Sequence, residues 1–302
     1  MPDRVMRESI GSKPWTAKPV RYPLEAAGVL LLFGVLRLLP LEWASAFGGW
    51  LGRTLGPRLA ASRKAWRNLA LALPERSDAE RRQILHDSWD NLGRTFAEYP
   101  HLATLSHDWE TRVEMIGSEH LRKLATDGAP GLCISAHLGN WELTALSCIK
   151  AGLPLTTVYR AANNPAVDRL LAAARGPVQA TMVPKGRIAA KELLATFKAG
   201  GHAGLLIDQK QNDGLAVPFF GRDAMTSTIA VDLVLRFDAP VVPIRVTRLT
   251  GMPRVRFRIE ALPPMHLPAD RIEALRLLNQ LIEGWVRETP GQWMWQHRRW
   301  PD

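Results

Sequence analysis

The stretch Gly131-Leu-Cys-Ile-Ser-Ala-His-Leu-Gly-Asn-Trp-Glu142 combines a strand, a turn and the start of a helix. Its first five residues, Gly131–Ser135, form a short apolar run that is typical of a buried strand. Gly139 and Asn140 then supply turn chemistry, and a helical pattern begins directly after them. Repeated strand–helix alternation builds α/β folds, so this stretch points to that fold class.

His137 and Glu142 are the chemically suggestive pair within this stretch. Five residues apart on one continuous helix, they would face different sides. Across a strand–turn–helix junction they can converge, and a carboxylate can then orient an imidazole and stabilise its protonated form. We therefore expect His137 to act as a general base for a hydroxyl, with Glu142 as its partner. A structural histidine is the alternative for any single residue of this type.

The same alternation extends from this stretch to the C-terminus and defines one α/β domain. Expected strands cover residues 113–116, 131–135, 155–159, 203–207, 241–247 and 254–259. Expected helices cover residues 118–126, 141–151, 165–174, 187–199, 226–237 and 270–288. Apolar strands separated by helices predict a largely parallel central sheet that helices cover.

Three helical patterns and a capping box come before the first expected strand. Residues 26–36 are uncharged and apolar, and residues 40–55 and 59–73 read as amphipathic helices. Ser77-Asp-Ala-Glu80 resembles a capping box and predicts a long helix that runs to about residue 105.

The N-terminal segment is expected to associate with a membrane. Residues 1–21 are polar and basic, and the apolar run 26–36 is shorter than the roughly 20 residues that span a bilayer. Tryptophans with nearby arginine and lysine, which membrane interfaces favour, crowd this region: Trp15, Trp43, Trp50 and Trp66. We therefore divide the chain into a basic segment with membrane-anchor helices, residues 1–57, and an α/β domain, residues 58–302. An ordinary core helix is the alternative for 26–36.

Charge and missing motifs restrict the partners. The formal net charge of +10 calls for nucleic acid, anionic lipid or an acidic carrier protein. No zinc-finger, RNP or helix-turn-helix pattern is present, so we expect no nucleic acid partner. Cys133 and Cys148 lack metal-ligand spacing and read as buried apolar residues. No GxSxG, GxGxxG, P-loop or HExxH motif occurs, and no metal or cofactor is expected.

Two further candidates lie at predicted strand ends, where open α/β sheets bind ligands. Arg160 follows one strand and could place a cation near an oxyanion or a substrate phosphate, or it could be a surface residue. Asp208 follows another and could orient Arg160 or a substrate hydroxyl, with structural pairing an equal alternative. Lys210 is a possible phosphate contact beside it.

The remaining candidates each have a structural alternative. Asn163 could donate hydrogen bonds to substrate or, with Asn164, cap the next helix. Phe220 could line a ligand channel or pack in the core. Arg298 belongs to a basic cluster that could dock anionic groups or form a solvated face.

Several of these residues fall in blocks that resemble a known family, the lipid A biosynthesis acyltransferases. The His-x-x-x-x-Glu string is similar to the motif of this family, and the other matching blocks follow in order. They are Val158-Tyr-Arg160 with Asn163-Asn-Pro165, Ile207-Asp-Gln209 with Val217-Pro-Phe-Phe-Gly221, and Pro290-Gly-Gln-Trp-Met-Trp-Gln-His-Arg-Arg-Trp300. The likeness spans residues 22–302. Gly291 departs from it, since an acidic residue is expected there, and Glu142 replaces the aspartate of the broader superfamily.

This resemblance implies a glycerolipid acyltransferase-like fold and a membrane-associated O-acyltransferase. Its acyl donor would be acyl carrier protein or coenzyme A, and its acceptor a hydroxyl of a lipid A precursor. The enzyme would lie at the inner membrane, bind anionic lipids and face the cytoplasm. The catalytic set would be His137, Glu142 and Arg160, and the substrate-binding set Asn163, Asp208, Lys210, Phe220 and Arg298. A different lipid acceptor, or a non-catalytic membrane-binding role, stays open.

Overall fold

The computed structural model describes residues 18–178 and 180–300. Its helices are α1 Lys18–Leu38, α2 Leu41–Leu55, α3 Ala61–Ala72, α4 Asp78–Glu98, α5 Leu102–His107, α6 Trp109–Arg112, α7 Ser118–Thr126, α8 Glu142–Lys150, α9 Pro165–Ala174, α10 Arg187–Lys198, α11 Ile229–Phe237 and α12 Arg271–Glu288. Its strands are β1 Val113–Ile116, β2 Gly131–Ser135, β3 Leu155–Tyr159, β4 Thr181–Pro184, β5 His202–Leu206, β6 Lys210–Phe219, β7 Arg222–Thr226, β8 Val241–Leu249 and β9 Arg256–Ala261.

The sheet that organises the domain has seven strands in the order β1-β9-β8-β2-β5-β3-β4. All neighbouring strands run parallel except β8 and β9, which are antiparallel. The predicted α/β fold with a largely parallel sheet is therefore confirmed. Because β2 and β5 are parallel neighbours, the residues that follow them meet at one edge of the sheet.

The core lies on both faces of β2, whose five residues are all buried. Successive side chains of a strand point to opposite faces. Accordingly, Cys133 packs with Leu143 and Phe257 on one side, whereas Leu132 and Ile134 join a separate apolar cluster on the other. Cys133 and Cys148 are both buried and unpaired as a disulfide, as their expected core role requires.

The β6–β7 hairpin is the largest departure from the expected elements. The helix expected over 226–237 begins at Ile229, because Arg222–Thr226 forms a strand that pairs with Lys210–Phe219. The turn between the two strands contains Phe220 with a positive φ of 52°. Polar residues and glycine interrupt the apolar pattern of the first strand, which hid it in the sequence.

The N-terminal helices pack as a layer in which α2 crosses α4 closely. A Cβ atom on Gly93 would lie 2.1 Å from the carbonyl oxygen of Gly48, so glycine permits this approach. The predicted capping box is confirmed: Ser77 and Glu80 exchange side-chain and backbone hydrogen bonds. Helix α4 stops at Glu98, earlier than expected, because a 3₁₀ turn containing Pro100 follows.

Helix α1 leaves much of its apolar surface exposed. No helix among the described residues is long and apolar enough to cross a membrane. The exposed apolar side chains of α1 and α2 are Leu24, Leu30, Leu31, Leu32, Val35, Leu38, Trp43, Phe47, Trp50 and Leu55. Of the basic segment expected at 1–21, residues 1–17, including Trp15, lie outside the described residues, whereas Lys18 and Arg21 lie in α1.

Candidate active site

The turn that carries His137 is held by hydrogen bonds from distant parts of the chain. Gly139 adopts a positive φ of 57°, and its N–H donates to the carbonyl of Gln292 at 3.1 Å. Its own carbonyl accepts from the side-chain amide of Asn91 at 3.0 Å. A Cβ atom at this position would lie 2.6 Å from the carbonyl oxygen of Val246. The backbone of the turn therefore has little freedom to move.

Strand register brings His137 against Asp208. Ser135 of β2 pairs with Leu206 of β5. His137 and Asp208 each lie two residues after this pair in the chain. The Nδ1–H of His137 donates to Asp208 Oδ1 at 2.8 Å, and its backbone N–H donates to Oδ2 at 2.9 Å. The indole N–H of Trp293 also donates to Oδ2, at 2.8 Å. Asp208 is thus the carboxylate that orients the imidazole.

The protonation state of Asp208, whose side chain has no exposed surface, depends on its contacts with His137. Burial alone would raise the pKa of the Asp208 carboxyl, but the charge of the protonated His137 ring and the hydrogen bonds from its ring and backbone hold the pKa well below its usual range. An ionised carboxylate only accepts hydrogen bonds, so Nδ1 of a neutral His137 keeps its proton and Nε2 carries the lone pair. The 14% exposure of the His137 side chain leaves the ring accessible.

Glu142 does not occupy the position that we expected. Its carboxylate accepts two hydrogen bonds from Arg175, at 2.7 and 2.8 Å, and one from the hydroxyl of Tyr99. The expected contact with the His137 ring is made by Asp208 instead. The physical reason is the position of Glu142 in the first turn of α8, which directs its side chain towards Tyr99, whereas the neighbouring strand β5 delivers Asp208 to the ring.

The Glu142 ion pair is a buried brace. Burial would lower the pKa of Arg175, but the hydrogen bonds and charge of Glu142 raise it above its usual value. The pKa of Tyr99 is raised by burial and by the same carboxylate. Charges that remain paired away from water fix the start of α8 relative to the end of α9.

A second buried ion pair, which the sequence did not suggest, lies behind the turn that carries His137. The guanidinium of Arg248 donates to both oxygens of Glu98, at 2.5 and 3.0 Å. Glu98 also accepts from the side chains of Asn140 at 2.8 Å and Ser45 at 2.6 Å. Helices α2 and α4 are thereby connected to the turn that carries His137.

The remaining polar candidates lie in different places and differ in their exposure. Arg160 is exposed at the carboxyl end of β3, next to β5, and the half-buried Lys210 begins β6. Asn163 is exposed, whereas Asn164 caps α9 by accepting from Ala166 N–H at 3.1 Å, as the capping alternative expected.

Phe220 and Arg298 lie in different surroundings. Phe220 is buried in an aromatic cluster with Phe219 and Trp300, which favours the packing alternative over an acyl channel. Arg298 is exposed in the C-terminal segment.

Two contacts of the site were missed because they depend on tertiary pairing. Trp293 follows α12 in the chain, yet Leu138 and Trp293 form an antiparallel bridge that seats the C-terminal segment against the turn. The side-chain amide nitrogen of Gln209 lies 3.2 Å from Nε2 of His137. The sequence signals for Gln209 were its position next to Asp208 at a strand end and its place in the Ile207-Asp-Gln209 block, and neither indicated a contact with His137.

The arrangement has the chemistry of a general base. A buried carboxylate holds one nitrogen of an imidazole, and the other nitrogen is available to take a proton from a hydroxyl. Across residues 18–178 and 180–300, no group of three His, Cys, Asp or Glu side chains is placed to hold a metal ion.

Comparison with known proteins identifies the class and then the family. The chain is similar to acyltransferases over most of its length. It belongs to the bacterial lipid A biosynthesis acyltransferase family, whose pattern matches residues 13–302. It is 27% identical over 294 residues to a lipid A biosynthesis lauroyltransferase of Escherichia coli K12, covering 92% of each chain.

Two further relatives match this chain over a similar length. A lipid A biosynthesis acyltransferase of Haemophilus influenzae is 25% identical over 276 residues, which cover 89% of this chain and 84% of that one. A lipid A biosynthesis myristoyltransferase of Escherichia coli K12 is 25% identical over 281 residues, with the same coverage. The predicted family and acyltransferase activity are therefore confirmed.

A second imidazole beside the site predicts a specific dependence of stability on pH. Burial lowers the pKa of His297 to about 4, against an ordinary value of 6.5. Between pH 6.5 and pH 4 the unfolded chain binds a proton at His297 that the folded protein does not. The free energy of unfolding is therefore unaffected by this residue above about pH 6.5 and decreases as the pH falls below it. The expected loss approaches 3 kcal/mol, at about 1.4 kcal/mol per pH unit.

We expect His297→Asn to lose less stability than the unsubstituted protein between pH 6.5 and pH 4. Denaturant unfolding in detergent at several pH values measures this slope. His266→Asn, at a histidine whose side chain is 70% exposed, is the matched control and should keep the original slope. Equal slopes for the His297 variant and the unsubstituted protein would contradict the assignment.

Proposed function

We propose that the protein transfers a fatty acyl chain from the thioester of acyl carrier protein to a hydroxyl of a lipid A precursor, with His137 as the general base. Lipid A acyl transfer follows from the family, and the His137–Asp208 pair supports the mechanism. The carrying observation is the buried, ionised Asp208 on Nδ1, which leaves Nε2 as the basic atom.

The reaction needs only one proton shuttle. Nε2 of His137 accepts the proton of the acceptor hydroxyl as its oxygen attacks the thioester carbonyl carbon. Asp208 stabilises the imidazolium that forms, and the proton then passes to the departing thiolate sulfur. Glu142, in this proposal, supports the site through Arg175 and does not contact the ring.

Positive charge at the carboxyl edge of the sheet supports an anionic donor and acceptor. Arg160 follows β3, and Lys185 and Arg187 follow β4, so their side chains lie at the edge that carries His137. All three residues are exposed. Exposed cations attract the acidic surface of a carrier protein and the phosphates of a lipid A precursor. This charge favours acyl carrier protein as the donor and assigns Arg160 to an anionic group of the substrates.

Association with the cytoplasmic face of the inner membrane accounts for the apolar surface of α1. Leu31 is 70% exposed and Leu38 is 87% exposed, on a helix too short in its apolar run to span a bilayer. An exposed apolar helix face is stabilised by lying in the membrane interface. The side chain of Asn164 donates to the carbonyl of Tyr22 at 2.7 Å, which ties α1 to the loop after β3. The lipid acceptor would therefore arrive near His137.

The membrane proposal predicts the behaviour of a double substitution, Leu31→Asp with Val35→Asp. Both side chains are exposed and lie one helical turn apart, so the change removes buried apolar contact with lipid without disturbing the core. Binding to vesicles of phosphatidylethanolamine and phosphatidylglycerol should weaken about tenfold or more, measured by flotation.

The matched control is Ile188→Asp on α10, which is 62% exposed and should bind as the unsubstituted protein does. High salt should not release the unsubstituted protein, because screening leaves apolar burial intact. Complete release by salt, or unchanged binding of the double variant, would contradict an apolar anchor.

The catalytic proposal is tested with full-length protein, loaded acyl carrier protein and a lipid A precursor. His137→Ala should lower turnover by about 10²–10⁴-fold, the usual contribution of a general base. His266→Ala, in an exposed loop, is the control and should retain normal turnover. Lipid A from cells that lack the protein should lose one acyl chain in its mass spectrum. Turnover above about a tenth of normal in His137→Ala would exclude the mechanism.

A further inference from the structure

The atom of His137 that takes the proton has a partner in the structure. The side-chain amide nitrogen of Gln209 lies 3.2 Å from Nε2. Gln209 directly follows Asp208, so two adjacent residues contact the two ring nitrogens, Asp208 at Nδ1 and Gln209 at Nε2. The imidazole is thus held between a fixed carboxylate and a neutral amide.

The direction of the Gln209 hydrogen bond follows from the rest of the site. The ionised Asp208 accepts from Nδ1–H, so Nε2 of the neutral ring has a lone pair and no hydrogen. The Gln209 amide N–H therefore donates to it. An acceptor hydroxyl must donate to the same lone pair from about 2.6–3.2 Å before it can be deprotonated. Binding of the acceptor consequently displaces the amide N–H from Nε2.

Gln209 is free to make this move, whereas Asp208 is not. Asp208 accepts three hydrogen bonds, from the backbone and ring of His137 and from the indole of Trp293. Within the described part of the chain, the half-buried Gln209 side chain makes no hydrogen bond other than the one to His137. A residue that braces the fold would have further partners. The displaced amide keeps its two N–H donors beside the reacting atoms.

We infer that Gln209 is a catalytic residue whose amide N–H, displaced from His137 by the acceptor hydroxyl, donates to the carbonyl oxygen of the acyl thioester as that oxygen becomes an oxyanion. The inference rests on the proposed function, since it uses the same base and the same thioester. It adds the donor that the developing negative charge requires.

Each bond in the step is accounted for. The acceptor O–H bond breaks as its proton moves to Nε2 of His137, and a new C–O bond forms to the thioester carbon. The π electrons of the carbonyl move to its oxygen, which the Gln209 N–H stabilises. Collapse restores the carbonyl and breaks the C–S bond, and the imidazolium returns the proton to the sulfur.

A neutral donor suits this position better than a cation. Lys210 and Arg160 lie at the same edge, but among the described residues the ring nitrogens are hydrogen-bonded to Asp208 and Gln209. A cation held against Nε2 would oppose the protonation that general-base catalysis requires. An amide donates to the oxyanion without repelling the imidazolium formed in the same step.

The test substitutes Gln209 in the full-length protein and measures kcat, KM, the pH–rate profile and the melting temperature. Gln209→Met keeps the length of the side chain but removes the donor, so kcat should fall about 10²–10³-fold. The KM for the acceptor should not rise, because the contact with the oxyanion forms only in the transition state and the acceptor no longer has to displace an amide from Nε2. The melting temperature should stay within about 2 °C, since no other contact is lost.

Gln209→Glu gives a second and independent readout. It replaces the donor with an acceptor, so turnover should fall as in the Met variant. In addition, a carboxylate next to Nε2 favours the protonated ring, and the acidic limb of the pH–rate profile should move to higher pH. Gln211→Met, two residues along β6 and also half-buried, is the matched control and should keep normal kcat.

The opposite behaviour is expected if the amide only covers the lone pair. Gln209→Met would then uncover Nε2, and turnover would be normal or higher. Normal turnover in Gln209→Met together with an inactive His137→Ala overturns this inference and leaves the proposed function intact. An active His137→Ala variant, in contrast, overturns the proposed function itself.

Discussion

The hydrogen bond from the His137 ring to Asp208 is the interaction on which the site depends. It exists because β2 and β5 are parallel neighbours whose paired ends bring the two residues together at one sheet edge. Asp208 is fully buried, and three N–H donors keep it ionised and fixed. The fold therefore determines which nitrogen of a neutral His137 ring is basic, and in the proposed function this nitrogen, Nε2, takes the proton of the acceptor hydroxyl.

Two buried ion pairs hold the segments around His137 in place. Arg248 and Glu98 connect the helical layer to the turn that carries His137, and Arg175 and Glu142 fix the start of α8. Charges buried in pairs are costly to separate, because a lone charge remains away from water. Since Glu98 also contacts Ser45 of α2 and Asn140 of the turn after His137, α2 and its exposed apolar side chains are joined to the site by hydrogen bonds. In the proposed function, this network positions the base next to the membrane that supplies the acceptor.

The sequence indicated most of the strands and helices and His137 as the candidate base, but not the residue that contacts its ring. Apolar strand runs and helix signals depend on local chemistry, and for that reason most of the elements from Val113 to Glu288 and the Ser77 capping box were predicted. The carboxylate that orients His137 depends on strand order, which the sequence did not show, so proximity in the chain favoured Glu142 wrongly. The β6–β7 hairpin was missed because its first strand is interrupted by polar residues and glycine.

The most direct test of the account compares Asp208→Asn with Glu142→Gln by turnover per folded molecule and by melting temperature. Asp208→Asn removes the charge beside Nδ1 and can offer an N–H to the ring, which favours the wrong tautomer, so turnover should fall by about 10²–10⁴-fold. Glu142→Gln leaves the buried Arg175 without its counter-charge, so the melting temperature should fall and turnover per folded molecule should fall much less. The reverse order, with turnover more sensitive to Glu142→Gln than to Asp208→Asn, would contradict Asp208 as the partner of His137.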